Sequence, residues 1–277
     1  MPQPLIPAPR LSLIDGASIP QLGYGLYKVP AADATRLSLD AIALGYRHLD
    51  TAALYGNERE VGEAVRSAPV PRDELFVTSK VWMDDNGYDS TLRAFDASMS
   101  RLGLDALDLY LIHWPVPSTD LYVDTWRALI RLRDDGRVRS IGVANFHAHH
   151  IELIIAETGV VPVVNQVELH PWLPQHELRE FDAARGIRTE AWSPLARGRV
   201  LEEPVLARLA AKHDRSPAQI VLRWHIELGN VVIPKASSTA RQRENLDVFG
   251  FELDDGDRAA IASLETGERT GRDPDDD

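Results

Sequence analysis

Short, nearly continuous apolar runs alternate along the chain with longer segments whose apolar residues recur at helical spacing. Apolar positions at 11–14 and 17–19 flank Asp15-Gly16, which predicts a β-hairpin with a two-residue turn. A strand is expected at 19–24, and the spacing predicts a helix over 32–44 that stops at Gly45. Strand-like runs then fall at 46–50, 75–80, 107–113, 140–144, 163–166, 187–192 and 231–234. Helical patterns fill the intervals at 57–66, 90–102, 121–134, 148–157, 175–184, 205–212 with 217–228, 241–248 and 256–264. Asn57 with Glu60 has capping-box spacing at the start of one of these helices.

With 22–24 as the first strand, the pattern makes eight strand-then-helix units and no composition break marks a linker. Such alternation implies a parallel sheet in an α/β fold. Eight units in 277 residues fit a closed (β/α)8 barrel, a TIM barrel, with the N-terminal hairpin added. A doubly wound sheet would want Gly-x-Gly-x-x-Gly after the first strand, and Gly23-Tyr24-Gly25 lacks the third glycine. The expectation is a single domain over 1–277, with about 1–9 and 268–277 as flexible ends.

Composition narrows the chemistry. The chain has no cysteine, which excludes disulfides, thiolate metal sites and cysteine nucleophiles. The N-terminal stretch lacks the pattern of a signal peptide, and no apolar run approaches membrane-spanning length. A cytoplasmic monomer with no membrane partner is expected. The formal net charge of -12 argues against binding nucleic acid. One stretch runs against that balance: Lys235, Arg241 and Arg243 come with no acid until Glu244, which suggests a pocket for a small anionic ligand.

In a (β/α)8 barrel the working residues sit at the C-terminal ends of the strands. Those ends carry Asp50 and Tyr55, then Lys80, His113, Asn145, Gln166, Trp192 with Ser193, and Lys235. Each alone has an ordinary structural explanation, but together they would converge on one mouth. The set suits acid catalysis beside an oxyanion. A phenol has a reference pKa near ~10, and an adjacent ammonium such as Lys80 is expected to lower that of Tyr55. Asp50 would keep Lys80 charged, and His113 would hold the substrate oxygen or share its proton. A carbonyl accepting hydride and a proton needs such a set.

Leu49-Asp50-Thr51-Ala52 with Tyr55-Gly56-Asn57-Glu58, Ser79-Lys80-Val81-Trp82, 108–114 (Asp-Leu-Tyr-Leu-Ile-His-Trp) and Ile233-Pro234-Lys235 resemble the aldo-keto reductases. The likeness runs from the hairpin to about Leu264. It implies Asp50, Tyr55, Lys80 and His113 as a catalytic tetrad with Tyr55 the proton donor, and a nicotinamide cofactor held without a Rossmann fold. By the same resemblance Asn145 and Gln166 would hold the carboxamide and Trp192 would stack on the nicotinamide. The loop from Ser193 to Leu195 would pass over the pyrophosphate. Lys235, Ser237, Ser238 and Arg241 would surround the adenosine phosphate, favouring NADPH over NADH, with Glu244 and Asn245 at the adenine.

Three positions depart from the family pattern. Ala144 and Ala236 stand where serine is common, and Trp192 where tyrosine or phenylalanine is usual. Tyr27, Trp82 and Trp114 are expected to line the substrate pocket, whereas Trp126 and Trp224 sit inside helical patterns as core residues. Two short loops and a chain that ends soon after Leu264 imply an open pocket for small aldehydes, dicarbonyls and keto-sugars. The short form is similar to the bacterial diketogluconate-reductase-like branch. His147-Ala148-His149-His150 has no carboxylate at evident ligand spacing, so no metal is expected. Two rival readings are a nucleotide-binding regulatory or interaction protein on the same barrel, which would not need the tetrad, and a hydrolase using Asp50 as base.

Overall fold

The computed structural model describes residues 5–276; residues 1–4 and 277, within the ends expected to be flexible, lie outside the described residues. The hairpin pairs β1 (Arg10–Ser12) with β2 (Ser18–Pro20) in antiparallel register Leu11↔Ile19. Beyond Ser12↔Ser18, Leu13 N still donates to Ala17 O at 2.9 Å, so the turn is the three residues 14–16 rather than two. Asp15 Oδ1 accepts the Ala17 N–H at 3.0 Å, and Gly16 supplies a φ of 88°.

Eight parallel strands follow: β3 (Tyr24–Gly25), β4 (His48–Asp50), β5 (Phe76–Val81), β6 (Leu107–Ile112), β7 (Val138–Ala144), β8 (Val164–Glu168), β9 (Arg188–Trp192) and β10 (Val231–Val232). They pair in chain order, as expected. The ring closes where Leu22 bridges Val232, with Gly23 N donating to Val232 O at 2.8 Å and Val232 N to Gln21 O at 2.9 Å. Closure removes the exposed edges that an open sheet would leave. The glycines that failed as a dinucleotide fingerprint serve this seam. A Cβ at Gly25 would sit 2.5 Å from the Ile233 carbonyl oxygen, so only glycine lets the first and last strands approach.

Outside the strands lie α1 (Ala31–Leu44), α2 (Glu58–Ser67), α3 (Tyr88–Leu102), α4 (Tyr122–Asp134), α5 (Ala148–Thr158), α6 (His176–Ala184), α7 (Pro204–His213), α8 (Pro217–Glu227), α9 (Thr239–Leu246) and α10 (Asp255–Ala262). Their apolar faces meet the outward strand residues in one large core that takes in Leu37, Val77, Phe95, Trp126, Leu129 and Trp224. A second, smaller core lies where the hairpin seals the barrel's lower end. There Leu13 and Ile19 pack with Phe76, Leu109, Leu111 and Val231. Hydrogen bonds from Ser140 Oγ to Asp15 Oδ2 (2.7 Å) and from Arg188 Nε to Ser12 O (3.0 Å) hold this plug. With that end sealed, the opposite end is left for chemistry.

The capping-box reading of Asn57 is corrected. Asn57 does occupy the position before α2, but its amide faces inward. Its Nδ2 donates to Leu26 O and Val29 O at 3.1 Å, and its Oδ1 accepts from Thr51 Oγ1 at 2.7 Å. Fully buried, it ties the loop after β4 to the loop after β3, a stronger demand than capping one helix. No helix among the described residues is long and apolar enough to cross a membrane.

Candidate active site

One cavity of about 950 Å³ occupies the C-terminal mouth of the barrel. Its wall brings together Asp50, Tyr55, His113, Asn145, Gln166, Trp192, Ser193, Leu195, Lys235, Arg241, Glu244 and Asn245, along with Tyr27, Trp82 and Trp114. Lys80 lies directly beneath it, with no exposed surface. Ser237 and Ser238 do not reach the wall; Ser238 instead caps α9, its Oγ accepting the Arg241 N–H at 3.3 Å.

Asp50 ends β4 and Lys80 lies near the end of β5, next to each other in the parallel ladder. Lys80 Nζ donates to both Asp50 carboxylate oxygens (2.7 and 2.8 Å) and to Thr51 O (2.9 Å), with Tyr55 Oη at 3.4 Å. A buried charge persists only when paired and hydrogen bonded, and this one is. The expectation that Lys80 lowers the Tyr55 pKa is corrected for the resting site. Burial and the Asp50 carboxylate push the phenol well above 10, because the ammonium is already committed to Asp50. Tyr55 therefore holds its proton firmly, with a cation 3.4 Å away to receive the phenolate that proton release would leave.

His113 follows β6, its ring 5.7 Å from that of Tyr55 and 5.1 Å from that of Trp82. Burial, then the charges of Lys80 and Arg272, drive its pKa well below 6.5, so the imidazole is neutral. Tyr27 approaches Tyr55 from the other side at 5.1 Å. These rings make an apolar rim around the phenol oxygen.

Two amides are braced beside the tetrad. Asn145 takes a left-handed backbone (φ 60°), which asparagine tolerates better than most residues. Its Nδ2 donates to His113 O and its Oδ1 accepts from Trp192 Nε1, both at 2.8 Å. Gln166 Nε2 donates to Asp50 Oδ2 (2.9 Å) and to Glu190 Oε2 (2.8 Å). Ala144 is part of the lower core, and Ala236 is buried with its carbonyl held by Tyr24 Oη at 2.7 Å. Neither offers a hydroxyl to the cavity.

Glu190 was missed by sequence reasoning because it lies inside β9 rather than at its end. Burial, then the Asp50 charge, raises its carboxyl to about 8. A glutamate in a strand with both faces buried was the available signal. The neighbouring His48, held at about 3 by burial, stays neutral.

The C-terminal segment was also misjudged. Rather than running loose into solvent, it folds back over the mouth, so the open-pocket expectation is corrected. Thr270 N, Thr270 Oγ1 and Gly271 N all donate to the Glu168 carboxylate at the end of β8, as does His170 Nε2. Burial opposes ionisation of Glu168, yet these donors hold it down at about 2. A Cβ at Gly271 would stand 2.6 Å from Trp192 Cη2, so glycine permits the segment to lie against that indole. Gly271 and Arg272 join the cavity wall.

The same fold-back supplies the carboxylates that the histidine cluster lacks in sequence. Asp273 lies 2.9 Å from His147 Nε2, and Asp275 lies 3.2 Å from His150 Nε2 and 3.5 Å from His149 Nε2. In the capping box of α5 the side chains of His147 and His150 accept each other's backbone N–H. The His147–Asp273 contact is a hydrogen bond, whereas Asp275 stands at ion-pair distance from His149 and His150.

At the far end of the cavity Lys235 and Arg241 are exposed and form no ion pair among the described residues, while Arg243 lies outside the cavity wall. Lys235 and Arg241 flank the start of α9, where backbone N–H groups favour an anion.

The chain is similar in sequence and in fold to known proteins. The family description "Aldo/keto reductase family" matches residues 20–266. A glyoxal reductase of Bacillus subtilis (strain 168) is 48% identical over 267 residues, covering 96% of each chain. The methylglyoxal reductase DkgA of Escherichia coli (strain K12) is 46% identical over 267 residues, again 96% of each. Among solved structures, a mutant of Gox0644 in complex with NADPH superposes with a TM-score of 0.93 at 48% identity, covering 98% of both chains. Residue pattern, closed barrel and these likenesses agree, and the chain belongs to the aldo/keto reductase family.

Proposed function

We propose that the protein reduces small aldehydes, dicarbonyls and keto-sugars to alcohols with NADPH, Tyr55 being the proton donor. The observation that carries this reading is the continuity of the cavity: one space joins Tyr55 and His113 to Lys235 and Arg241. The residues present fit the cofactor. Lys235 and Arg241 offer unpaired charge for an adenosine phosphate. Glu244 and Asn245 flank the adenine end, Trp192 offers an indole face, and Ser193 and Leu195 begin the loop beside it. Asn145 and Gln166, each braced by partners, hold the carboxamide.

When bound, the reduced nicotinamide supplies hydride to the carbonyl carbon. The chain's own part is the proton and the oxygen. Tyr55 donates its proton to the carbonyl oxygen as charge develops there, a step worth ~10²–10⁴-fold. Lys80, fixed by Asp50, stabilises the phenolate left behind. Neutral His113 meets the same oxygen as a hydrogen-bond partner. Trp82, Trp114 and Tyr27 exclude water from it and select small substrates. The names of the relatives, glyoxal and methylglyoxal reductases, support dicarbonyls as the first substrates to try.

The test is loss of reduced-nicotinamide absorbance with methylglyoxal, glyoxal and simple aldehydes, using each reduced cofactor in turn. Turnover with NADPH exceeding that with NADH is expected. No turnover across the panel, with NADPH bound, would sink the assignment.

A further inference from the structure

Gln166 has both of its amide hydrogens taken before anything binds. In the parallel ladder it stands opposite Glu190, which puts the two side chains on one face of the sheet. Its Nε2 donates to Glu190 Oε2 at 2.8 Å and to Asp50 Oδ2 at 2.9 Å. A primary amide has two N–H donors and one carbonyl oxygen, so Gln166 has nothing further to donate. Its Oε1 meets no donor among the described residues, although Gln166 is part of the cavity wall. Asn145 is the reverse case. Its Oδ1 accepts from Trp192 Nε1 and one Nδ2 hydrogen goes to His113 O, which leaves one N–H to give. The two amides on the wall therefore keep opposite capacities, Asn145 a donor and Gln166 an acceptor.

The two ends of an amide are alike in shape, and only hydrogen-bond partners decide which way it lies. Turned over, Gln166 would set its oxygen against the carboxyl oxygens of Asp50 and Glu190. Asp50 Oδ2 is shared with Lys80, whereas Glu190 Oε2 has Gln166 as its one donor among the described residues. Glu190 is fully buried and is not part of the cavity wall, so it can act on a ligand only through Gln166. Its carboxyl, raised to about 8 by burial and then by the Asp50 charge, accepts this bond near neutral pH without adding a second negative charge. Resting on the function proposed above, we propose that Glu190 is a positioning residue: it holds the Gln166 amide in one sense, so that the cofactor's carboxamide binds with its NH2 toward Gln166 and its oxygen toward Asn145. The orientation of the nicotinamide ring, on which hydride transfer depends, is then fixed from beneath the cavity.

The test compares NADP+ with its 3-acetylpyridine analogue, in which a methyl replaces the amide NH2 while the carbonyl oxygen and the shape remain. Dissociation constants are read from quenching of tryptophan fluorescence, without turnover. The parent should bind NADP+ about 2- to 10-fold more tightly than the analogue, the worth of one neutral hydrogen bond. In Glu190→Met that ratio should fall close to one, and Glu190→Gln, which restores an acceptor, should recover most of it. A structural defect alone would weaken both dinucleotides equally and leave the ratio where it was. Gln166→Met should abolish the preference by itself, and adding Glu190→Met should change the ratio no further. Should Glu190→Met not fold, Glu190→Thr, whose side chain stops short of Gln166, takes its place with the same expectation. A ratio equal to the parent's in the variant that removes the acceptor would overturn the proposal. So would a parent without preference, a ratio lost in Glu190→Gln, or a further fall in the double variant. A parent that binds both dinucleotides but reduces no carbonyl would end the proposed function, and the ratio would still decide the part of Glu190.

Discussion

At one end of the cavity Asp50, Lys80, Gln166 and Glu190 are no more than 2% exposed, and each is hydrogen bonded to another of the four. At the other end Lys235 and Arg241 stand in solvent without an acidic partner. Both regions are polar, yet they meet opposite physical demands. The inner group must survive burial with nothing bound, so its charges are neutralised within the protein before substrate arrives. The outer group is hydrated when free and can remain unpaired at little cost, leaving its binding capacity for a ligand. Substitutions should accordingly affect chemistry and stability together at the inner end, and ligand affinity alone at the outer end.

The largest expected effect isolates chemistry within the inner group. Tyr55→Phe keeps the ring contacts with Tyr27 and His113 and removes only the transferable proton. Its kcat should fall ~10²–10⁴-fold with NADPH affinity within a few-fold of the parent. Retention of most of the rate would move the donor role to another group, His113 first.

Lys80→Met should show the coupling to stability. It strips Asp50 of its buried cation, a loss typically costing ~3–5 kcal/mol. Thermal unfolding should drop by roughly 10 °C, with activity severely reduced. A variant as stable as the parent would mean that the inner pair is less buried in solution than here, and the contrast between the two ends would weaken.

Arg241→Ala probes the outer end. NADPH affinity should fall about 10- to 150-fold, since a charge-assisted hydrogen bond contributes roughly 1.5–3 kcal/mol. NADH affinity should fall much less, and the thermal midpoint should hardly move. Equal losses for the two cofactors would show that Arg241 only packs against the adenine.

The smallest effect concerns Glu190, whose carboxyl is raised to about 8 in the fold. Between the ordinary glutamate range near ~4.3 and pH 8 the unfolded chain releases this proton while the folded chain keeps it. The folded state binds more protons there, so this group makes stability decline as pH rises through that window. Glu190→Gln keeps an acceptor for Gln166 and removes the ionisation. Denaturant midpoints measured from pH 5 to 8 should decline less steeply in the variant. An unchanged slope would mean that Glu190 is ionised in the folded protein and paired more fully than its contacts indicate.

The amino-acid order by itself determined the succession of strands and helices, and with it the polar residue at each strand end. Those are properties of neighbours in the chain: apolar periodicity sets the element, and Gly45 or the Asp15-Gly16 turn sets its limit. Asp50, Lys80, His113 and Gln166 were legible for that reason, since a parallel barrel carries every strand end to one mouth. What joins distant parts of the chain was decided only by tertiary structure. Gln166 bridges Asp50, 116 residues away, to Glu190 within a strand, and a glutamate in a buried strand does not by itself tell which distant groups it meets. Thr270 closes on Glu168 across 102 residues. An acidic tail reads as a solvated end because its own residues bury nothing. It folds back because backbone and side-chain donors in 270–271 meet a buried carboxylate whose one other side-chain donor is His170. The same reason explains the Tyr55 pKa. Sequence shows a phenol and an ammonium in one site, but only the packed barrel shows that burial outweighs a cation already bound to Asp50.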